Sequence, residues 1–345
     1  MPPASLFRSF VAALVCLLPA ATVRVAAEDI VSGTALSILA AKPPEPPAGF
    51  ANPQLAMQAV LTGQVKPIQP NLAVPGTVKL TADVEYGNAG GRALTLDLYQ
   101  PATPSGPAAG LVFIHGGAWA GGSKADYRYY GITFAQKGYV VVSIGYRLAG
   151  EQMYPAAIED SKCAVRWMRS NAADLGVDPQ RIAAIGGSAG GHLSMMVGYS
   201  SDVPALEGTA GHEGVSSGVQ CVVNLYGPCD LTTDFVRNNE FAGRVTRGFL
   251  GKSIEEDLAL YQQASPVTYL DAHDPPTLIV HGTIDDVVPI DQADELAAKL
   301  KEVGVPYLYD RLPGWPHAMD IAQPVNDRCV WLMEQFFAAY LKPAG

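Results

Sequence analysis

The stretch that decides the fold reads Arg181-Ile182-Ala183-Ala184-Ile185-Gly186-Gly187-Ser188-Ala189-Gly190-Gly191-His192, residues 181–192. A short apolar run, typical of a buried strand, ends in small residues, and apolar spacing suited to a helix resumes at Leu193. The turn between them contains Gly186-x-Ser188-x-Gly190, a pattern in which a serine projects its hydroxyl from a strained strand-to-helix turn. Small neighbours let strand and helix pass closely. Ser188 is therefore the candidate nucleophile.

A glycine-rich turn of this kind has a second interpretation. Strand-to-helix turns also bind dinucleotides, but that site requires the pattern G-x-G-x-x-G. The third letter of the pattern is Ser188 here rather than glycine. Phosphate binding is therefore disfavoured, and no cofactor is expected.

The composition describes a globular chain with a sizeable core. Its 345 residues can hold one large α/β domain with appendages or two ordinary domains, and 48% of them are hydrophobic against 16% charged. The formal net charge is −10. Such a charge argues against nucleic acid, or an anionic membrane, as a standing partner.

The N-terminus has the features of an export signal. Arg8 precedes an apolar stretch, and Val25-Ala26-Ala27 offers small residues for cleavage. A membrane anchor is the alternative, but a span needs about 20 apolar residues and this run is shorter. We therefore expect residues 1–27 to be removed near Ala27 and the protein to be secreted or periplasmic, with no stable membrane partner.

Four cysteines remain beyond that segment: Cys163, Cys221, Cys229 and Cys329. Export permits disulfides, and four cysteines allow three pairings. Buried free thiols are the alternative, because Cys163 and Cys329 fall in predicted helices. No C-x-x-C or Cys/His cluster is present, so no metal site is expected.

The remaining chain divides at residue 78. Residues 28–77 are proline-rich and are predicted to form a leader or linker, with a short helix near Ala56–Leu61. Residues 78–345 then alternate between strand and helix patterns after an initial hairpin, which predicts a mostly parallel sheet covered by helices on both faces. The predicted strands are Val78–Tyr86, Leu94–Tyr99, Gly110–Ile114, Tyr139–Ile144, 181–187, Cys221–Leu225, Thr277–Val280 and Tyr307–Tyr309. The predicted helices are Asp126–Gln136, Pro155–Ala172, Gln292–Val303 and Asn326–Leu341.

An insertion at about residues 230–275 interrupts this alternation. Phe241–Leu250 and Ile254–Tyr261 have helical patterns within it. Open α/β sheets bind ligands beyond the carboxyl ends of their strands, where such an insertion would lie. A small partial cap over the site is expected, and a plain surface excursion is the alternative.

Three further motifs follow predicted strands. His115-Gly116-Gly117-Ala118-Trp119 is similar to the HGGG-type loop that supplies backbone N–H groups to an oxyanion, and Ala189 supplies another. His281-Gly282-Thr283-Ile284-Asp285-Asp286 offers two candidate acids. In the chain order that accompanies a serine of this kind, the histidine follows the acid, and only His317 does so. His115 and His192 are predicted to brace the structure locally.

These residues resemble the α/β-hydrolase superfamily, and more closely the hormone-sensitive-lipase-like carboxylesterases with the bacterial feruloyl and acetyl-xylan esterases. Tyr146-Arg147-Leu148 and Tyr154-Pro155 are similar to family elements as well. The resemblance spans about residues 78–341. It implies a catalytic triad of Ser188, Asp285 and His317, and an oxyanion hole formed by Gly116, Gly117 and Ala189. Ala118 departs from the HGGG form.

The expected function is that of a secreted serine carboxylesterase, which would hydrolyse short-acyl or aryl esters through an acyl-enzyme. The resemblance suggests acetyl or feruloyl groups on polysaccharide as substrates. Trp119, Tyr129, Tyr130 and Trp315 are candidates for lining the substrate site. The alternatives are an amidase similar to the aryl-formamidases and a non-catalytic binding module on a hydrolase scaffold.

Overall fold

The computed structural model describes residues 43–45 and 48–342. The predicted signal peptide, residues 1–27, lies outside these residues. The strands are β1 Val78–Ala89, β2 Arg92–Pro101, β3 Ala108–Ile114, β4 Val140–Ile144, β5 Val177–Gly187, β6 Cys221–Leu225, β7 Thr277–Gly282 and β8 Tyr307–Leu312. The α-helices are α1 Pro53–Leu61, α2 Arg128–Gln136, α3 Ala156–Ser170, α4 Ala172–Leu175, α5 Ala189–Tyr199, α6 Asp234–Asn238, α7 Glu240–Leu250, α8 Leu258–Gln263, α9 Asp291–Val303 and α10 Gln323–Tyr340.

The strands form a single eight-stranded sheet with the order β1-β2-β4-β3-β5-β6-β7-β8. β1 and β2 are antiparallel to each other, and β2 is antiparallel to β4. All remaining pairs are parallel. The carboxyl ends of β3 and of β5 to β8 therefore meet at one edge, the edge at which parallel sheets position binding residues.

The central strands are apolar on both faces because helices cover both. Along β4, Val140 and Val142 join one core cluster, whereas Val141 joins the other. The first cluster includes residues of α3, α5 and α9, and the second includes residues of α2 and α10. This arrangement confirms the predicted mostly parallel sheet with helices on both faces.

Several predicted boundaries were wrong. The hairpin connection is the Gly90–Gly91 turn, with φ of 61° and 95°, so β1 extends beyond the predicted break at Gly87. The predicted helix from Ile254 begins only at Leu258, because the side chain of Asp257 accepts the N–H of Leu260 at 3.1 Å and caps it there. The predicted helix at residue 126 starts as a short 3₁₀ turn, Lys124–Tyr127.

The described part of the proline-rich segment packs against the rest of the structure. The N–H of Phe50 donates to the carbonyl of Gly314 at 2.7 Å, and that of Ile68 donates to Ile321 at 2.8 Å. Pro67 forms an isolated bridge with Ala322. The described part of this segment therefore belongs to the packed structure, and it reaches the edge of the sheet where β8 ends.

The four cysteines of the described chain, Cys163, Cys221, Cys229 and Cys329, are all buried free thiols. This outcome matches the alternative of buried free thiols rather than that of disulfides. None of the helices within residues 43–45 and 48–342 combines the length and apolar character that crossing a membrane requires.

Candidate active site

Ser188 occupies a strained turn between β5 and α5. Its φ is 57° and its ψ is −125°, a conformation that non-glycine residues rarely adopt. The turn is held on both sides, since the N–H of Ser188 donates to Leu225 at 2.9 Å and its carbonyl accepts the N–H of His192 at 3.1 Å. Such strain persists only where the surroundings fix it, and it is common at functional sites.

The two glycines of the motif are needed because the backbone passes too closely for a side chain. A Cβ on Gly190 would lie 1.9 Å from the carbonyl oxygen of Ile114, and one on Gly186 would lie 2.2 Å from that of Gly190. Any larger residue would displace β3, β5 or α5. The glycine spacing read from the sequence thus corresponds to a physical requirement of this turn.

The structure brings Ser188, His317 and Asp285 into one chain of hydrogen bonds. His317 Nε2 lies 2.9 Å from Ser188 Oγ, and His317 Nδ1 lies 2.7 Å from Asp285 Oδ2. Because a carboxylate only accepts, Nδ1 carries the proton and Nε2 is free to accept the serine proton. These side chains come from the ends of β5, β7 and β8, up to 129 residues apart along the chain.

Asp285 is held by four donors and is buried, whereas Asp286 is exposed. The Oδ1 atom of Asp285 accepts the N–H groups of Val287 and Val288 at 2.9 and 2.8 Å. Its Oδ2 also accepts from His281 Nε2 at 3.1 Å. Burial alone would raise the pKa of Asp285, but hydrogen bonds from His281 and His317 outweigh it and lower the pKa to about 2. The carboxylate therefore stays ionised beside His317.

The loop after β3 lies against the serine turn. A Cβ on Gly116 would be 2.8 Å from the carbonyl of Gly187 and 3.3 Å from Ser188 Cβ. Gly117, Ala118 and Trp119 have successive positive φ values of 105°, 53° and 58°, and this loop is strained because the last two are not glycine. Ala189 opens α5, where backbone N–H groups lack intrahelical partners.

Two other histidines brace this loop from behind. The His115 ring stacks on Tyr146 at 4.3 Å, and its Nδ1 lies 2.8 Å from the Gly116 carbonyl. The fully buried His192 accepts the indole N–H of Trp119 on Nδ1 at 3.2 Å and lies 2.7 Å from the Ala264 carbonyl through Nε2. Neither ring is within the hydrogen-bonded chain of Ser188.

Two cavities meet at Ser188. The larger, of about 570 Å³, is lined by Gly116, Gly117, Ser188 and His317 among others. The smaller, of about 30 Å³, is lined by Trp119, Ala189 and apolar residues of the insertion: Phe235, Phe241, Ala242 and Val245. The α6–α7 part of the insertion thus closes one side of Ser188, and His317 lines only the larger cavity of the two.

A cluster that the motifs did not reveal forms one wall of the larger cavity. Tyr226 and Tyr130 both donate their hydroxyls to Asp320, the latter at 2.9 Å, and the Tyr226 ring contacts His317 edge-on at 4.9 Å between centroids. Burial raises the pKa of Asp320 despite these two donors. Sequence position gave a weak signal for this wall, since Tyr226 directly follows β6 and Asp320 lies three residues after His317.

The four aromatic candidates for the substrate site have separate locations. Trp119 lines the smaller cavity and Tyr130 the larger. Trp315 lies outside the lining of both, buried edge-on against Phe50 at 5.4 Å. Tyr129 also lies outside both, and its hydroxyl accepts from Gln323 Nε2 at 3.0 Å. The structure therefore does not bring Trp315 or Tyr129 to the site.

A comparison with known protein families identifies the family of this chain. The model of the BD-FAE family matches residues 96–300, more than half of the chain. The chain belongs to the BD-FAE family. Its sheet and helices are those of an α/β-hydrolase, and within that fold the family is hormone-sensitive-lipase-like.

Relatives of this family member are named as esterases. Esterase LipQ of Mycobacterium tuberculosis is 33% identical over 254 residues, which are 72% of this chain and 60% of the relative. The chain spans about 55 to 60% of the length of the relatives LipQ, LipC and LipM.

Two solved structures are similar over most of their length. A truncated carbohydrate esterase from gut microbiota has a TM-score of 0.66 and 28% identity, covering 78% of this chain and 98% of its own. The thermophilic esterase Est2 of Thermogutta terrifontis has a TM-score of 0.65 and 28% identity, covering 82% and 99%. Est2 has also been solved with propionate or butyrate bound and after phosphonylation by sarin.

Proposed function

We propose that this protein is a secreted serine carboxylesterase that hydrolyses esters of short acyl groups. The observation that carries the proposal is the hydrogen-bonded chain from Asp285 through His317 to Ser188, at the meeting point of two cavities. The names of the relatives, and the short carboxylates bound to Est2, are consistent with it.

In the proposed reaction, His317 Nε2 takes the Ser188 proton as Oγ attacks the ester carbonyl. Backbone N–H groups of Gly116, Gly117 and Ala189 stabilise the charge on the carbonyl oxygen; removing one such donor typically costs about 10²–10³ in rate. His317 then returns the proton to the departing alcohol, which leaves an acyl-enzyme. Water attacks that ester with His317 again as the base, and the acid is released.

The location of His317 supports a proposed role for each of the two cavities. Because His317 must protonate the leaving oxygen, the alcohol departs through the larger cavity, which His317 lines. The acyl chain then points into the smaller cavity of about 30 Å³. The smaller cavity has about one twentieth of the volume of the larger one, and apolar side chains of the insertion line it. This size favours acetyl or propionyl groups over the feruloyl groups that the resemblance suggested.

Turnover of p-nitrophenyl esters from acetate to octanoate, beside methyl ferulate, acetylated xylan and a formanilide, tests this proposal. We expect the highest kcat/KM for acetate or propionate and a steep fall beyond four carbons. Faster turnover of the formanilide than of any ester would favour the amidase, and no turnover of any substrate would favour a binding module. Fractionation of producing cells, with N-terminal sequencing of the exported protein, tests export and cleavage near Ala27.

A further inference from the structure

The wall of the larger cavity formed by Tyr130, Tyr226 and Asp320 has a defined hydrogen-bonding polarity. Both tyrosine hydroxyls donate to Asp320, one to each carboxylate oxygen. Their protons are therefore committed to the carboxylate. The hydroxyls and the carboxylate therefore present lone pairs to a bound molecule. Lone pairs accept hydrogen bonds and do not donate them.

The wall lies beside the reacting atoms. A Cβ on Gly187, the residue before Ser188, would come within 2.8 Å of the Tyr226 hydroxyl and 2.9 Å of the Tyr127 hydroxyl. The Tyr226 ring also rests edge-on against His317. An alcohol that receives its proton from His317 is thus within a few ångströms of this wall as it leaves.

The permanently charged side chains that line the larger cavity are acidic. Its described lining contains the carboxylates of Asp126 and Asp320 and no lysine or arginine. Asp126 uses Oδ2 to accept the N–H of Ser123 at 2.9 Å, which leaves further acceptor capacity. A negatively charged alcohol portion would find no lysine or arginine here and would be repelled by the two carboxylates, whereas a hydroxyl group would find acceptors.

Resting on the proposed esterase function, we propose that Tyr130, Tyr226 and Asp320 form an alcohol subsite, which selects uncharged, hydroxyl-bearing alcohol portions and disfavours anionic ones. The subsite contacts the alcohol leaving group and not the acyl group. It therefore acts in the larger cavity and not in the small apolar one.

Three acetyl esters of nearly equal size isolate this effect: propyl acetate, 2-hydroxyethyl acetate and acetoxyacetate. The first two differ in a terminal methyl or hydroxyl group, and the third ends in a carboxylate. Each kcat/KM is divided by the hydroxide-catalysed rate of the same ester, which removes differences in leaving-group reactivity. For the unmodified protein we expect hydroxyethyl acetate to exceed propyl acetate by about 3- to 10-fold, the size of one hydrogen bond. Acetoxyacetate should be the poorest of the three.

Two variants and a matched control locate the effect. Tyr226→Phe removes one acceptor, so the hydroxyethyl-to-propyl ratio should fall toward one. Asp320→Asn introduces an amide N–H and removes the charge, so the same ratio should fall while the exclusion of acetoxyacetate weakens. Tyr129→Phe removes a hydroxyl from the same helix as Tyr130 but outside the cavity. Its ratios should equal those of the unmodified protein, and thermal melts establish which variants are folded.

The outcomes separate this subsite from the esterase proposal. A hydroxyethyl-to-propyl ratio of one or less in the unmodified protein would refute the subsite while leaving the esterase function intact, and that measurement needs no variant to fold. Ratios unchanged in folded Tyr226→Phe and Asp320→Asn would refute it as well. Failure to hydrolyse any of the three esters would overturn the esterase proposal and, with it, this inference.

Discussion

Replacing Asp285 with asparagine tests how the acid controls His317. Asp285 Oδ1 accepts two backbone N–H groups, from Val287 and Val288. In Asp285→Asn these donors would hold the amide oxygen in that position, which turns the amide nitrogen toward His317 Nδ1. Since that nitrogen donates, His317 would accept at Nδ1 and carry its proton on Nε2, facing Ser188. The imidazole could then no longer take the serine proton.

The expected loss is large and specific to this position. A triad with the wrong histidine tautomer loses about 10⁴ in kcat, which corresponds to about 5 kcal/mol of transition-state stabilisation. Asp286→Asn is the matched control, because Asp286 is the adjacent acid and is exposed. We expect it to retain kcat within about twofold. The assay is kcat on p-nitrophenyl acetate at neutral pH for both variants beside the unmodified protein.

Stability against pH supplies a second readout of the same carboxylate. The pKa of Asp285 is lowered from 3.8 to about 2, so its charged form stabilises the folded state by about 2 kcal/mol above pH 4. That contribution is lost as the pH falls through 2. Chemical denaturation should therefore show a stability difference between Asp285→Asn and the unmodified protein that is largest at neutral pH and shrinks toward pH 2.

A kcat loss below tenfold in Asp285→Asn, or an equal loss in Asp286→Asn, would refute the role assigned to Asp285.

Three further perturbations probe the surroundings. Phe235→Ala enlarges the small cavity and should raise the butyrate-to-acetate ratio of kcat/KM by about tenfold; an unchanged ratio would remove the cavity as the acyl site. Gly187→Ala forces a Cβ against two tyrosine hydroxyls, so denaturant titration should show a loss of about 1–3 kcal/mol, and unaltered stability would contradict this packing. Burial lowers the pKa of His192 from 6.5 to about 4. As the pH falls, His192 is therefore protonated in the unfolded chain before it is protonated in the folded one, which favours unfolding. The unmodified protein should lose about 2–3 kcal/mol between pH 7 and 4.5 that His192→Gln does not lose, and parallel pH profiles would exclude this effect.

The sheet and the Ser188 turn were predictable because their determinants are local. Continuous apolar runs separated by helical patterns require a covered parallel sheet, and the glycines around Ser188 reflect contacts of about 2 Å that admit no side chain. His317 could be found by elimination from the chain order. The structure then shows its ring between Ser188 and Asp285.

The wall formed by Tyr130, Tyr226 and Asp320 was not predictable, because these residues come together in the fold without belonging to a sequence motif. Tyr226 and Asp320 are 94 residues apart and meet only through the register of the sheet. The side on which an aromatic residue lies is equally hidden: Trp315 is two residues from His317, yet it packs behind the site against Phe50. The start of α8 was predicted too early, because the apolar spacing extends back to Ile254 whereas the helix begins at Leu258, after its Asp257 cap.

The central claim is that Ser188 is a nucleophile activated by His317, and covalent labelling tests it most directly. The protein is exposed to a fluorophosphonate, digested, and analysed by peptide mass spectrometry, with Ser188→Ala and Ser194→Ala as a matched pair of variants. We expect one adduct, on Ser188, which disappears in Ser188→Ala and persists in Ser194→Ala. An unlabelled Ser188, or esterase activity that survives in Ser188→Ala, would contradict the claim.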